Sequence, residues 1–297
     1  MTSQHSEFDS LVPGRPLERP FSRRDFIATT AGVGFALATQ PIMAQTAIHT
    51  DSAGLVAGRV KVPSALGEVE AYQARPAGQE RLPVILVVSE IFGVHEYIAD
   101  VCRRLAKLGY LAIAPEVFAR QGDPRQIASV AEILEKITAR TPDAQVLADL
   151  DACAAWAFQN GGDPGRLGIT GFCYGGRITW LYSAYRPSLR AGVAWYGRLE
   201  GAITPQTPRH PLDVADDLKA PVLGLYGGLD TGIPLESVEK METVLQAAAA
   251  PAARESRIVL YDQAPHAFHA DYRPSYRKED AEDGWKRMLA WFRQHGL

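Results

Sequence analysis

The apolar residues of this chain cluster in short runs, separated by stretches where they recur every three or four positions. Val56 to Val62 and Glu68 to Ala74, parted by Pro63 and Gly67, read as an opening antiparallel pair. Leu82 to Ser89 is almost wholly apolar and β-branched, as expected of a strand covered on both faces. Tyr97 to Leu108 places Ile98, Val101, Leu105 and Leu108 at helical spacing and stops at Gly109. Tyr110 to Ala114 follows as a strand, then two helical stretches near Gln126 to Ala139 and Ala144 to Phe158. Arg166 to Phe172 reads as a strand and Gly175 to Ala184 as a helix. Further strands at Ala191 to Tyr196, Pro221 to Tyr226 and Ile258 to Asp262 accompany helices at Leu235 to Ala249 and Ala281 to Gln294. This alternation predicts an α/β architecture, a mostly parallel, doubly wound sheet flanked by helices. No repeat interrupts it, so residues 48–297 form one expected domain.

Residues 1–47 carry a different pattern. Ser22-Arg23-Arg24-Asp25-Phe26-Ile27 sets a paired arginine before a mild apolar run that ends near Ala38. Gln40-Pro41 and the small residues Ala44 and Ala47 follow. Charged region, short apolar region and small-residue exit are the order of an export signal, here of the twin-arginine type. Cleavage is expected near Ala44, giving a folded-exported protein of the periplasm or exterior, with the twin-arginine machinery as transient partner. The run falls short of the roughly 20 apolar residues that span a bilayer, so no stable membrane span is expected in the mature chain.

Composition narrows the function. Of 297 residues, 31 are Lys or Arg and 34 Asp or Glu, a net charge of −3. No basic excess exists to neutralise phosphates, which argues against a nucleic-acid partner. The three cysteines, Cys102, Cys153 and Cys173, are an odd number and imply no disulfide framework. No His/Cys group has metal-ligand spacing, and no metal or organic cofactor is implied.

Gly171-Phe172-Cys173-Tyr174-Gly175-Gly176 follows an apolar strand and opens a helix, the context of a nucleophile elbow. Glycines two residues to either side leave room for a sharp turn with Cys173 at its tip. A thiol there feels the positive end of the helix dipole, which favours the thiolate. Cys102 and Cys153 lie inside helical stretches without such a frame and read as buried structural residues. A nucleophile needs a base, and the base an orienting group. Asp230 follows a strand in Gly227-Gly228-Leu229-Asp230, and His266 lies in the loop after the last strand. All three thus fall on the carboxyl edge of the sheet, where such sheets place their sites. His269 and His210 are weaker candidate bases; His269 reads as a surface or helix-start residue. Asp262 and Asp213 are weaker acids.

With these residues in place, the chain resembles the dienelactone hydrolase family from about Gly67 to Phe292. The resemblance is densest in Ser89-Glu90-Ile91-Phe92-Gly93-Val94, in Ala114 to Arg120, in the cysteine elbow, and around Asp230 and His266. It implies the α/β-hydrolase fold and hydrolysis of an ester or lactone. It also implies that Glu90 is buried beside the thiol and helps form the thiolate, and that backbone N–H groups of Ile91 and Tyr174 make the oxyanion hole. The family's carboxylate-gripping arginine four residues past the catalytic histidine is replaced by Ala270. Arg125 and Arg140 stand in no clear register for a second one, and nothing aims Arg273 or Arg277 at the pocket. Neutral esters or lactones are therefore the expected substrates, with Phe92, Phe118, Trp195, Tyr196 and Phe268 as candidate apolar lining. An exported thioesterase or broad carboxylesterase on the same scaffold is the alternative within this class. A binding or redox-sensing protein using Cys173 is the alternative outside it.

Overall fold

The computed structural model describes residues 47–297. The export signal expected at the N-terminus lies outside the described residues. Eight strands, β1 (Leu55–Val62), β2 (Val69–Pro76), β3 (Leu82–Val88), β4 (Leu111–Pro115), β5 (Gly162–Phe172), β6 (Leu189–Trp195), β7 (Val222–Gly227) and β8 (Arg257–Tyr261), join one sheet. Their order is β1-β2-β4-β3-β5-β6-β7-β8. The β1–β2 and β2–β4 pairs are antiparallel and all the others parallel.

Sequence and topology agree on why the middle of the sheet is dry. β3 is apolar on both sides because both are covered: Val84 to Val88 are inaccessible to solvent. The major helices are α1 (Glu96–Lys107), α2 (Val130–Lys136), α3 (Asp143–Gln159) and α4 (Tyr174–Tyr185), followed by α5 (Pro211–Val214), α6 (Leu235–Ala247), α7 (Pro251–Glu255) and α8 (Lys278–Gln294). α1 carries the chain from β3 outward to β4, whereas α4 carries it from β5 the opposite way to β6. Right-handed crossovers in opposite directions put these helices on opposite faces. Arg104 of α1 stacks over Trp285 of α8, so these two share a face. Arg177 of α4 makes a two-pronged ion pair with Asp143 of α3 on the other, at 2.7 and 2.8 Å.

The direction reverses between β3 and β5, and a crevice forms at such a switch point, outside the strands' carboxyl ends. Glu90 follows β3, Cys173 follows β5, Asp230 follows β7 and His266 follows β8.

Three expectations shift. The helix expected over Gln126 to Ala139 is confined to α2, between 3₁₀ turns at Pro124–Gln126 and Thr138–Arg140. Ser129 accepts the Glu132 N–H at 3.2 Å and starts the helix late. The helix expected to reach Ala249 ends at Ala247, where Ala248 turns extended at ψ 146°, and Pro251 holds Ala250 extended ahead of the next helix. β5 begins at Gly162 rather than Arg166, its first half hidden in the sequence by Pro164 and Gly165.

Candidate active site

Cys173 sits at φ 54°, ψ −110°, between the end of β5 and the first turn of α4. Such a conformation costs a non-glycine residue about 1–3 kcal/mol and persists only where its surroundings impose it. Here they do. A Cβ on Gly171 would stand 2.2 Å from the Gly175 oxygen, and one on Gly175 would stand 2.1 Å from the Val88 oxygen. The turn is therefore pressed against β3, and the Cys173 N–H donates to the Trp195 carbonyl of β6 at 3.0 Å.

Beyond Arg81, the non-glycine residues with positive φ among the described residues are Cys173, Tyr196 and Ala267. Tyr196 follows β6 and Ala267 follows His266, so three strained positions surround one point.

His266 and Asp230 meet there. Nδ1 of His266 lies 2.7 Å from Oδ2 of Asp230, while Oδ1 of Asp230 accepts the N–H groups of Gly232 and Ile233 at 2.9 and 3.2 Å. The aspartate is thereby fixed by its own loop and fixes the imidazole in turn. Nε2, the other ring nitrogen, is buried and makes no hydrogen bond of good geometry among the described residues, while the Cys173 thiol is close enough to act on the ring. Burial disfavours the imidazolium, but the charges of Asp230 and Cys173 outweigh it and hold the His266 pKa well above its ordinary value. The structure thus brings together Cys173, His266 and Asp230.

Glu90 is 3% exposed. Its carboxylate hydrogen-bonds not to the thiol but to His95 Nε2 at 3.2 Å, and it accepts from the Tyr272 hydroxyl at 3.4 Å. Burial alone would raise its pKa; the charge and hydrogen bond of His95, with the charge of Arg273, lower it instead. The loop carrying Glu90 and Ile91 is held by Glu116, which accepts the Val94 N–H at 2.9 Å. Glu116 itself pairs with Arg59 and Arg125. Ile91 is buried in this loop, and the Tyr174 N–H heads α4, where no preceding turn can accept it.

A model of the dienelactone hydrolase family matches residues 69–296. A Methylorubrum extorquens protein named "Putative carboxymethylenebutenolidase" is 55% identical over 98% of this chain and 99% of its own. A protein of that name from Salmonella typhimurium is 56% identical, covering 91% of this chain and 98% of its own. The crystal structure of a "Putative Dienelactone Hydrolase" from Klebsiella pneumoniae superposes with a TM-score of 0.78 at 55% identity, over 81% of this chain and 99% of that one. The chain belongs to the dienelactone hydrolase family. It has that family's α/β-hydrolase fold and is a carboxylic ester hydrolase of this type.

Two residues depart from the sequence-based expectation. His269 is not at the surface. It is 3% exposed, stacked between Trp285 and Phe172, and its Nδ1 lies 2.6 Å from the Tyr97 hydroxyl. Burial, with the nearby Arg104 charge, pushes its pKa well below the usual value. It faces no acid of the site and serves packing. Arg273, in turn, is aimed inward. Its guanidinium lies 4.9 Å from the Phe92 ring and its Nε donates to the Tyr272 hydroxyl at 3.1 Å. Glu90 and Cys173 both act on its charge. His210 caps α5 through a capping box with Asp213, and both are occupied away from the nucleophile.

The aromatic candidates divide. Phe92 and Tyr196 border the charged groups. Trp195 is fully buried against Phe172 and His269, Phe268 against Trp195 and Tyr261, and Phe118 against Tyr174. A small cavity of about 60 Å³ lies instead under the N-terminal segment, walled by Ile48, His95, Tyr97 and Tyr272. Sequence reasoning missed His95, Tyr97, Tyr272 and Glu116, none of which carries a spacing that sets it apart. Among the described residues, no group of three or more His, Cys, Asp or Glu is arranged to hold a metal, and no helix is long and apolar enough to cross a membrane.

Proposed function

We propose that this enzyme cleaves an ester or lactone through a covalent acyl-enzyme on Cys173. The observation that carries this reading is the 2.7 Å contact between His266 Nδ1 and Asp230 Oδ2, with the opposite imidazole nitrogen left for the thiol of the strained elbow. The Cys173 thiolate attacks the carbonyl carbon, and the carbonyl oxygen takes the negative charge beside the N–H groups of Ile91 and Tyr174. Collapse breaks the carbon–oxygen bond, and imidazolium His266 gives its proton to the departing oxygen. Water then attacks the thioester, His266 takes one of its protons, and the released thiolate regains its proton-sharing partner. Glu90, ionised and enclosed, assists thiolate formation by taking the thiol proton when bound substrate draws its carboxylate away from His95 and Tyr272, leaving His266 as the imidazolium. A redox sensor would need neither Asp230 nor His266 in this geometry.

For substrate choice, Ala270 removes one cation, and the charge of Arg273 already faces that of Glu90. Neutral esters or lactones fit this balance better than carboxylated ones.

The twin-arginine motif supports export in the folded state. Replacing Arg23-Arg24 by Lys-Lys should strand active enzyme in the cytoplasm; export unaffected by that change would refute it. For the reaction itself, Cys173→Ala should abolish turnover while leaving the melting temperature nearly unchanged. Retention of wild-type hydrolysis by Cys173→Ala would overturn the reading.

A further inference from the structure

Tyr196 is used nowhere in that scheme, yet three observations single it out. Its side chain is fully buried, and its hydroxyl has no hydrogen-bond partner among the described residues. The Tyr97 phenol, itself bonded to His269 at 2.6 Å, is close enough to act on it as a hydrogen-bond partner but makes no bond of good geometry with it. A buried hydroxyl left in this state is destabilising unless a ligand completes it.

The second observation is backbone strain. Tyr196 stands at φ 38°, a region that bulky residues avoid. It is kept there by the elbow: the preceding carbonyl, that of Trp195, accepts the Cys173 N–H, and the Tyr196 N–H donates to Leu225 O at 2.8 Å. A Cβ on the next residue, Gly197, would stand 2.3 Å from the Arg177 nitrogen of α4. The tyrosine is thus coupled to the nucleophile through shared backbone contacts. The third is its neighbour. The Tyr196 ring meets the His266 ring edge to face, centroids 5.1 Å apart.

Sheet order assigns the sides of the reacting group. β3, with Ile91 beyond its end, lies on one side of Cys173; β6, β7 and β8, with Tyr196, Asp230 and His266, lie on the other. The carbonyl oxygen belongs with the backbone donors, and the departing oxygen belongs with the imidazole. We propose that the Tyr196 hydroxyl donates a hydrogen bond to the leaving oxygen of the bound ester or lactone as the carbon–oxygen bond breaks. The inference rests on the acyl-enzyme reading above. The electron pair of the broken bond goes to the leaving oxygen, His266 supplies the proton, and Tyr196 keeps its own. Burial, with the negative charges of Glu90 and Cys173, outweighs the opposing influence of Tyr97 and holds the phenol well above its ordinary pKa, so it stays a donor.

The test is Tyr196→Phe, assayed on esters of one acid whose leaving groups run from p-nitrophenol to simple alcohols. Loss of a donor to a developing oxyanion typically costs about 10² or more in rate. The alkyl esters should lose roughly this factor in kcat/KM, and the p-nitrophenyl ester, whose departing oxygen needs little help, under about 3-fold. The melting temperature of Tyr196→Phe should match or exceed that of wild type, because an unpaired buried hydroxyl is removed. An equal loss on every ester, no loss on any, or a melting temperature several degrees lower would overturn the proposal. Intact mass separates it from the underlying reading. An acyl adduct on wild-type Cys173 combined with a flat leaving-group dependence overturns the role of Tyr196 alone, whereas absence of the adduct in wild type overturns the acyl-enzyme and this inference with it.

Discussion

Gly175 and Val88 pass so close that a Cβ on the glycine would stand 2.1 Å from the valine carbonyl oxygen. This contact seats the first turn of α4 on the end of β3, and so sets the distance between the elbow and the loop that carries Glu90 and Ile91. Neither partner is a flexible side chain, so neither can yield cheaply. Gly175→Ala should therefore destabilise the fold by about 3 kcal/mol or more, through overpacking against backbone. Chemical denaturation reads this directly; a cost below about 1 kcal/mol would show that the elbow can shift, and that its geometry is less constrained than described here.

The His266–Asp230 pair gives a pH dependence with a definite sign. The folded-state pKa of His266 is raised above the 6.5 of a free imidazole, so the pair's contribution is fully present below pH 6.5 and is lost as pH climbs through the folded value. Asp230→Asn removes the first-ranked of the two charges that raise it and leaves Cys173 alone against burial, which acts the other way. In wild type the melting temperature should fall as pH rises above 6.5, and in Asp230→Asn that trend should be clearly weaker. Parallel profiles for the two proteins would contradict the assignment.

Much of this site was legible in the residues. The glycine frame of Cys173 and the strand-end positions of Asp230 and His266 are local signals, and local rules of turn and strand suffice to read them. Glu90 was located through the family resemblance instead, and its partners were not located at all. His95, Tyr272 and Arg273 reach it from α1's entry and from the loop after β8, and such meetings are decided by tertiary packing, which no spacing encodes. His269 was misread because a histidine in a loop looks exposed, whereas here Trp285, Trp195 and Phe172 enclose it. In the fold, the central strands were found, apart from the start of β5, because burial on both faces writes a continuous apolar run. α2 was overextended because Ser129 starts it late and 3₁₀ turns carry on its apolar spacing at either end.

Substrate charge can be tested with a matched pair of lactones, one carrying a carboxylate and one its neutral analogue. The neutral compound should have the higher kcat/KM, because a carboxylate would have to compete with Glu90 for Arg273. A lost charge-assisted contact weakens binding by roughly 1.5–3 kcal/mol, a 10- to 150-fold preference. Equal values would assign carboxylate binding to Arg273, and Arg273→Met would then abolish it.

The three cysteines should behave unequally. Cys102 and Cys153 are fully buried in α1 and α3, and burial pushes both thiols far above the ordinary range. They should resist alkylation until the protein unfolds, and all three free thiols should be counted after denaturation. Rapid native labelling of Cys102 or Cys153 would contradict the described packing.

The central claim is the thioester on Cys173, and its most direct measurement is mass spectrometry of the enzyme quenched during turnover of a slowly deacylated ester. The account predicts a mass gain equal to the acyl group, mapped to the peptide holding Cys173, absent from Cys173→Ala and discharged by hydroxylamine. Turnover with no adduct in wild type, or an adduct of the same size in Cys173→Ala, would contradict it.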